Sequence, residues 1–417
     1  MAVLAINGGE KVRTEGWPSW PPDDPGFLEN LEKVLDSGVW GTGGAFREQA
    51  ERAMAEFHGA EFAVAVTSGT AALEVPLRVL GVGVGDEVIV PPYTFVATAT
   101  SVVAVGGVPV FVDINAETCN LDPTKIEEAI TEYTKAIIPV HIGGSPADLD
   151  PIIEIGKKHG LAVIEDACQA HGAEYKGRKV GAIADAGAFS FQSSKNVCAG
   201  EGGIVLTNNR EVYEKAWSLA NIGRVPEGGW YDHRVMGWNL RLTEFQSALV
   251  VRGMELLPEH FELRYNNGEH LRQRLGQIEG VSLQKLTHPS NKSAYHLYIF
   301  SYDREAFDGL PREKFLQALH AEGIGGGSGY NPLYREGLFK DNWDPNAFPF
   351  APQYYKGEVN YNEVSCPACE HVCDEAGFWM GQSTGLADEK AMDDIADAIL
   401  KIQQNVREIE RTAEAGG

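Results

Sequence analysis

GAFSFQSSKNVCAGEGG, residues Gly187–Gly203, runs an apolar segment into a single lysine and closes the turn behind it with glycines. Ala188-Phe189-Ser190-Phe191 has the texture of a buried strand, and Lys195 follows directly in the turn. Most lysines are solvated surface charges. This one is flanked from Ser190 to Ser194, and again at Asn196, by residues that carry no charge. A lysine withdrawn from water has a depressed pKa, and its neutral amine is the form that attacks a carbonyl to make a Schiff base.

The surrounding chain says what kind of sheet such a strand belongs to. Short β-branched runs occur at Phe62–Val66, Glu87–Val90, Val108–Val112, Ala136–Val140, Leu161–Glu165 and Gly203–Leu206. Segments with helical periodicity separate them, among them Thr70–Leu80, Pro123–Thr131 and Leu149–His159. This alternation predicts an α/β fold, a mostly parallel sheet sandwiched by helices. Ligands of such sheets bind beyond the carboxyl ends of the strands.

Two more features fall at predicted strand ends. Ser68-Gly69-Thr70 opens a helix after the strand ending at Val66; its free backbone N–H groups suit a phosphate, although the same residues also serve as ordinary helix caps. Val163-Ile164-Glu165-Asp166 ends an apolar strand in two carboxylates, which need a cation or donors, or which cap the next helix. A phosphate cradle, a carboxylate and a desolvated lysine are together what pyridoxal 5'-phosphate (PLP) requires: Ser68, Gly69, Thr70 and Ser190 for the phosphate, Asp166 for the pyridinium nitrogen, Lys195 for the aldehyde and for proton transfer.

Past residue 243 the texture changes. Leu242-Thr243-Glu244 reads as a helix start, with helical spacing from Phe245 to Leu257, and a closing helix is predicted over Asp388–Val406. The division expected is an N-terminal arm at 1–20, a large cofactor-binding domain at 21–260 and a smaller C-terminal α+β domain at 261–417.

Composition excludes several classes. With 43% apolar and 23% charged residues the chain is globular rather than disordered. The 35 basic against 59 acidic residues give a net charge of −24, which disfavours nucleic-acid and membrane-surface partners. The first residues lack the cationic-then-apolar pattern of a signal peptide, no stretch approaches ~18 apolar residues, and the cysteines are too sparse for a disulfide scaffold; a cytoplasmic location is expected. Cys366, Cys369, His371 and Cys373 have tight ligand spacing, but no second distant pair exists, so no metal is expected. Gly323–Gly329 lacks the Lys-Ser/Thr of a P-loop and reads as a flexible loop near the acceptor.

The motifs GDEVIVPPYTFVATA (Gly85–Ala99), PVFVDI (Pro109–Ile114), VIEDACQAHGA (Val163–Ala173), GAFSFQSSKNVCAGEGG and GWNLRLTEFQSAL (Gly237–Leu249) together resemble the DegT/DnrJ/EryC1/StrS sugar aminotransferases, fold type I of the PLP enzymes. The resemblance runs from about Gly8 to Ile402. It implies that Lys195 is the Schiff-base lysine and Asp166 the pyridinium partner, that Phe95 stacks on the ring and Gln169 lies against its other face, and that Gly69, Thr70 and Ser190 hold the phosphate. It also implies that Asn239 reaches the phosphate of a neighbouring subunit, so that a homodimer shares its active sites. The reaction implied is ping-pong transfer of an amino group from glutamine or glutamate to a ketone of a cyclitol or keto sugar. Gly16-Trp17-Pro18-Ser19-Trp20-Pro21 resembles the inosose and aminohydroxybenzoate branch. A nucleotide-linked keto sugar, a deoxysugar dehydratase and a non-enzymatic protein of the same fold are the alternatives. Arg224, Arg234 and Arg241 are candidates for the donor carboxylate. Asp344–Val364 is longer than in compact nucleotide-sugar members, a departure bearing on the substrate-facing region.

Overall fold

The computed structural model describes residues 3–409. Its large sheet contains β1 (Phe62–Val66), β2 (Glu87–Val90), β3 (Val108–Phe111), β4 (Thr134–Ile137) and β5 (Ala162–Asp166); after a small hairpin, β6 (Glu174–Tyr175) and β7 (Arg178–Lys179), come β8 (Ala186–Ser190) and β9 (Gly203–Thr207). The seven strands lie in the order β1-β9-β8-β5-β4-β2-β3. All pairings from β3 across to β8 are parallel, and β9 runs antiparallel to both β8 and β1.

Alternation along each strand sorts the side chains onto two faces. Val64, Val66, Val88, Val90, Ile138, Ile164 and Ala188 enter one core with α3 (Gly69–Val79), α4 (Ala97–Ala104) and α6 (Arg210–Ala220). Ala63, Ala65, Phe189 and Ile204 face the other side, against α2 (Ala45–His58) and α7 (Glu244–Leu275), while Ile89, Ile137 and Val163 meet α5 (Leu149–His159). The predicted helix over Pro123–Thr131 is instead two 3-10 turns, Pro123–Lys125 and Glu127–Ala129. Asp122 caps the first, and Ile130 is already extended, so too few residues remain for an α-helix to propagate.

A second, antiparallel sheet of β10 (Val281–Leu283), β11 (Leu297–Tyr302) and β12 (Gly377–Gly381) carries α8 (Arg312–Ala321) and a closing helix, Glu389–Gln404. Its core joins Leu271, Phe300, Phe315, Phe378 and Ile399 with Leu4 from the N-terminal arm, and Arg13 pairs with Asp394 at 2.9 Å. A capping box at Thr243 starts α7, which continues through Pro258 well past Leu257. Phe261 of this helix lies in the first core and Leu271 in the second, so the division expected at residue 260 falls inside one continuous helix.

The segment from Leu333 to Cys373 belongs by sequence to the small domain, yet Tyr334, Phe339, Tyr361 and Cys369 pack with Phe111 in the core of the large sheet. Asp113, just beyond β3, tethers it by accepting from the N–H groups of Ala368 (3.1 Å) and Cys369 (3.0 Å) and from Lys125 (2.9 Å). The cysteines there are buried packing residues, with Cys369 and Cys373 sulfurs 3.8 Å apart, while His371 turns outward to Glu375. The long Asp344–Val364 stretch lies by the N-terminal ends of β2 and β3: Tyr355 bonds Glu87, and Tyr361 donates to the Pro109 carbonyl at 2.9 Å. This corrects its expected link to the substrate-facing region, because ligands of this sheet bind at the opposite edge.

The two carboxylates ending β5 face opposite sides. Glu165, fully buried, accepts from the N–H groups of Gly181 (2.7 Å), Ile183 (2.7 Å) and Ala184 (2.8 Å) and meets His141 Nε2 at 3.1 Å. His141 Nδ1 accepts from Ala147 N–H at 3.0 Å, which leaves the ring proton on Nε2 to donate to Glu165. Burial pushes the Glu165 carboxyl up, but His141 and the backbone donors outweigh it and hold the group below its ordinary value. Glu165→Gln is expected to cost roughly 3 kcal/mol at pH 7, since it sets an amide against donors built for a carboxylate. A carboxyl held low stabilises fully above its unfolded pKa of about 4.3 and loses that contribution as the pH falls through the lowered value. In denaturant unfolding the gap between wild type and variant therefore narrows on acidification from pH 7 toward pH 3.

Candidate active site

Asp166 points to the other side of β5, at the carboxyl edge of the sheet. Its Oδ2 accepts from Thr98 Oγ1 at 2.7 Å and its Oδ1 from the Cys168 N–H at 3.2 Å, and it is buried. Lys195 stands in the turn after β8, held by its N–H to the Gln192 carbonyl (2.9 Å), while Ser193 N–H reaches Gly200 (2.9 Å) and Phe191 N–H reaches Gly202 (2.8 Å). Asn196 ties the turn to the second domain through Ala294 O at 2.8 Å and His296 Nδ1 at 3.1 Å. Burial lowers the Lys195 ammonium below the usual lysine value; the charge of Asp166 and the Cys168 thiol oppose this without overcoming it. The result is an amine biased toward its neutral form beside a carboxylate.

Ser68, Gly69, Thr70 and Ser190 converge next to this pair. Ser68 caps α3 by accepting from the Ala71 N–H at 3.1 Å, so the helix opens with its first-turn amides directed outward. A Cβ built on Gly69 would lie 2.7 Å from Ser190 Cβ, 3.0 Å from Ser190 Oγ and 3.2 Å from Cys168 Sγ. Only glycine lets the helix end approach β8 this closely. A positive helix end with two hydroxyls beside it suits an anion.

Gln169 is buried, with Oε1 accepting from Gly143 N–H at 2.8 Å and Nε2 donating to Tyr330 Oη at 2.9 Å. Tyr330 stacks edge-on against Trp379 at 4.4 Å and feels the charge of Asp166; burial pushes its hydroxyl up to about 12, so it stays a donor at neutral pH. The glycine-rich run before it is less free than expected, since Gly327 exchanges two hydrogen bonds with Trp379 of β12, at 3.0 and 2.9 Å. Phe95 sits in the turn between β2 and α4 and is 57% exposed, although Tyr93, Thr94 and Thr98 nearby are buried. An aromatic left open at the carboxyl edge of a sheet is a face waiting for a planar partner.

Asn239 is exposed and pairs its backbone with Asn221; no contact brings it to this chain's own Lys195. The loop around it exposes Trp230, Tyr231, Val235, Met236 and Trp238. Of the three arginines, Arg234 is committed to Asp232 through a two-pronged contact at 3.0 and 2.7 Å. Arg224 Nε and Arg241 Nη1 are buried without a partner among the described residues, and the backbone of Arg241 bridges to Val66, just before the Ser68 turn. Trp20 donates to the Ser193 carbonyl at 3.0 Å, against the Lys195 turn, while Trp17 packs under Arg13 at 4.3 Å, away from it.

The sequence reading missed Thr98 and Thr94, whose Oγ1 atoms are 3.0 Å apart, and Tyr330 as a partner of Gln169. The signal for Thr98 was its place: it follows Thr94 by one helical turn, within the same stretch as Phe95.

Residues 22–376 match the profile of the DegT/DnrJ/EryC1/StrS aminotransferase family. The chain is 38% identical over 422 residues to the L-glutamine:2-deoxy-scyllo-inosose aminotransferase of Streptoalloteichus tenebrarius, covering 97% of this chain and 99% of that one. It is 37% identical over 424 residues to the L-glutamine:scyllo-inosose aminotransferase of Streptomyces griseus, covering 98% and 99%. Among solved structures, 3-amino-5-hydroxybenzoic acid synthase superposes with a TM-score of 0.82 at 32% identity, over 93% of this chain and 100% of that one. The large mixed sheet flanked by helices, with a smaller sheet domain after it, is the fold type I architecture, and the chain belongs to the DegT/DnrJ/EryC1/StrS aminotransferase family.

Proposed function

We propose that this chain binds PLP at the carboxyl edge of the large sheet and moves the amino group of L-glutamine to the ketone of an inosose-type cyclitol. The observation that carries the reading is the pair at that edge: a half-buried lysine whose amine is biased toward neutral, beside a buried carboxylate, next to a helix N-terminus that Gly69 lets pack closely on Ser190. These residues fit the cofactor. The first-turn amides at Gly69 and Thr70, with the hydroxyls of Ser68 and Ser190, would hold its phosphate; Asp166 would meet the ring nitrogen; Phe95 and Gln169 would cover the two ring faces. When bound, PLP carries the amino group from donor to acceptor and delocalises the electrons released at the reacting carbon.

The protein's own contribution is positional and acid–base. Lys195 Nζ, biased toward its neutral form by desolvation, would take up the proton leaving the amino-bearing carbon and return it. Asp166, fixed by Thr98 and by the Cys168 N–H, would turn its carboxylate to the ring nitrogen. Arg224 and Arg241, each with a buried N–H free of protein partners, supply cations for the donor carboxylate. Glutamine as donor and a six-membered polyol ketone as acceptor are supported by what the two relatives are named for. The exposed apolar loop around Asn239 supports a homodimer in which Asn239 completes the neighbour's phosphate site.

Purified protein given PLP is expected to absorb in the visible, to lose that band on addition of L-glutamine, and to regain it with scyllo-inosose or a deoxy analogue but not with a keto-nucleotide sugar. Lys195→Ala should abolish turnover, by at least about 10⁴-fold. Borohydride reduction followed by peptide mapping should place the pyridoxyl group on Lys195; an adduct elsewhere, or a protein that stays colourless, defeats the reading.

The shared site has its own test. Lys195→Ala and Asn239→Ala should each be impaired alone, but mixed and re-formed dimers should regain activity, because the Lys195-bearing subunit then receives an intact Asn239 from its partner. Mixtures no more active than their parts would place Asn239 outside the neighbour's site.

A further inference from the structure

We infer that Thr98, at the head of a hydroxyl relay that starts at Thr94, is a positioning residue that fixes the orientation and charge of Asp166 toward the cofactor ring nitrogen, an inference that rests on the cofactor reading above. Thr98 Oγ1 lies 2.7 Å from Asp166 Oδ2 and 3.0 Å from Thr94 Oγ1. An ionised carboxylate only accepts hydrogen bonds, so the single Thr98 proton goes to Asp166. The Thr98 oxygen must then accept from Thr94, which sets the direction of the chain: Thr94 to Thr98 to Asp166.

Thr94 and Thr98 are almost completely buried and Asp166 nearly so, which leaves no water to substitute for a missing donor. Donation to a charged acceptor in such surroundings is short and strong, and one hydroxyl polarises the next. The Cys168 N–H occupies Oδ1, and the Asp166 N–H reaches the Pro139 carbonyl at 2.9 Å, so both the backbone and the carboxylate plane are pinned. Thr94 and Thr98 also bracket Phe95, whose carbonyl accepts from the Thr98 N–H at 3.2 Å. One turn thus carries the ring-facing aromatic and the relay that aims the carboxylate. Cys168, Lys195 and Tyr330 are the titratable groups whose charges couple to Asp166 among the described residues.

Without the Thr98 donor, Asp166 competes more strongly for the ring proton, and the ring carries less positive charge. The chromophore, whose own proton a positive ring repels, then keeps that proton to higher pH. The test titrates PLP into apoprotein and follows the visible band against pH in wild type, Thr98→Val, Thr98→Ser and Thr94→Val. Thr98→Val should bind PLP about 10- to 100-fold more weakly, the range for losing one hydrogen bond to a charged group, and its spectral midpoint should move up. Thr98→Ser should restore both values, and Thr94→Val should shift the midpoint the same way by less.

Wild-type affinity and midpoint in Thr98→Val would overturn the inference, and so would a Thr98→Ser variant as impaired as the valine, because the methyl group rather than the hydroxyl would then matter. If Thr98→Val does not fold, Thr94→Val decides: it keeps the Thr98 hydroxyl, and an unmoved midpoint there refutes the relay. Wild-type protein that develops no visible band would sink the cofactor reading itself, which is a different result from a normal wild type with normal variants.

Discussion

A lysine and an aspartate withdrawn from water at adjacent strand ends are the constraint around which this molecule is arranged. Either charge alone at that depth would cost several kcal/mol. Burial holds the Lys195 ammonium below its usual value, and Asp166 is met by a hydroxyl and a backbone N–H. Both groups are held by short turns at the ends of β5 and β8, parallel neighbours in the middle of the sheet. The sheet's parallel direction is what brings the two ends side by side, because parallel strands present their carboxyl ends on one edge.

The same strand shows how an alternating backbone separates two chemistries. Glu165 and Asp166 are adjacent in sequence and face opposite ways. Glu165 collects three N–H groups and His141, which makes it an anchor for the loop from Gly181 to Ala184. Asp166 is left with one oxygen held by a side chain and one by a turn. The first arrangement serves stability; the second leaves a carboxylate at the sheet's carboxyl edge, beside the lysine turn.

Much of this was legible from residue order. The strand runs, the turn at Ser68–Thr70, the lysine turn and the Thr243 helix start all rest on local patterns, and local patterns decide local structure. What was not legible depended on distance. Thr98 reads as one more small residue in an apolar helix start until the fold brings it to Asp166, sixty-eight positions away. Pro123–Thr131 has helical spacing, but the Asp122 cap and an extended Ile130 leave too few residues for an α-helix to propagate. The Asp344–Val364 stretch looked like a substrate-side insertion, and only Tyr355 on Glu87 and Tyr361 on Pro109 reveal that it wraps the far edge. Asn239 lies beyond either kind of inference within one chain, since the role proposed for its exposed side chain requires a second copy.

The division of labour between the two domains follows from these tethers. Every group that would touch the cofactor ring or phosphate within one subunit comes from strand ends and turns of the large sheet. The groups that close the cleft come from elsewhere: Tyr330 and Trp379 from the small-domain side, Trp20 from the arm. Gln169 is the joint between the two sets, because one amide bonds Gly143 on the sheet side and Tyr330 on the other. Its Nε2 donates to Tyr330, so the tyrosine's own proton remains available to another acceptor. The lysine and the carboxylate are thus set by the sheet, while Gln169, Asn196 and Trp20 tie that edge to the small domain and the arm, so a shift of either would be felt directly at the Lys195 turn.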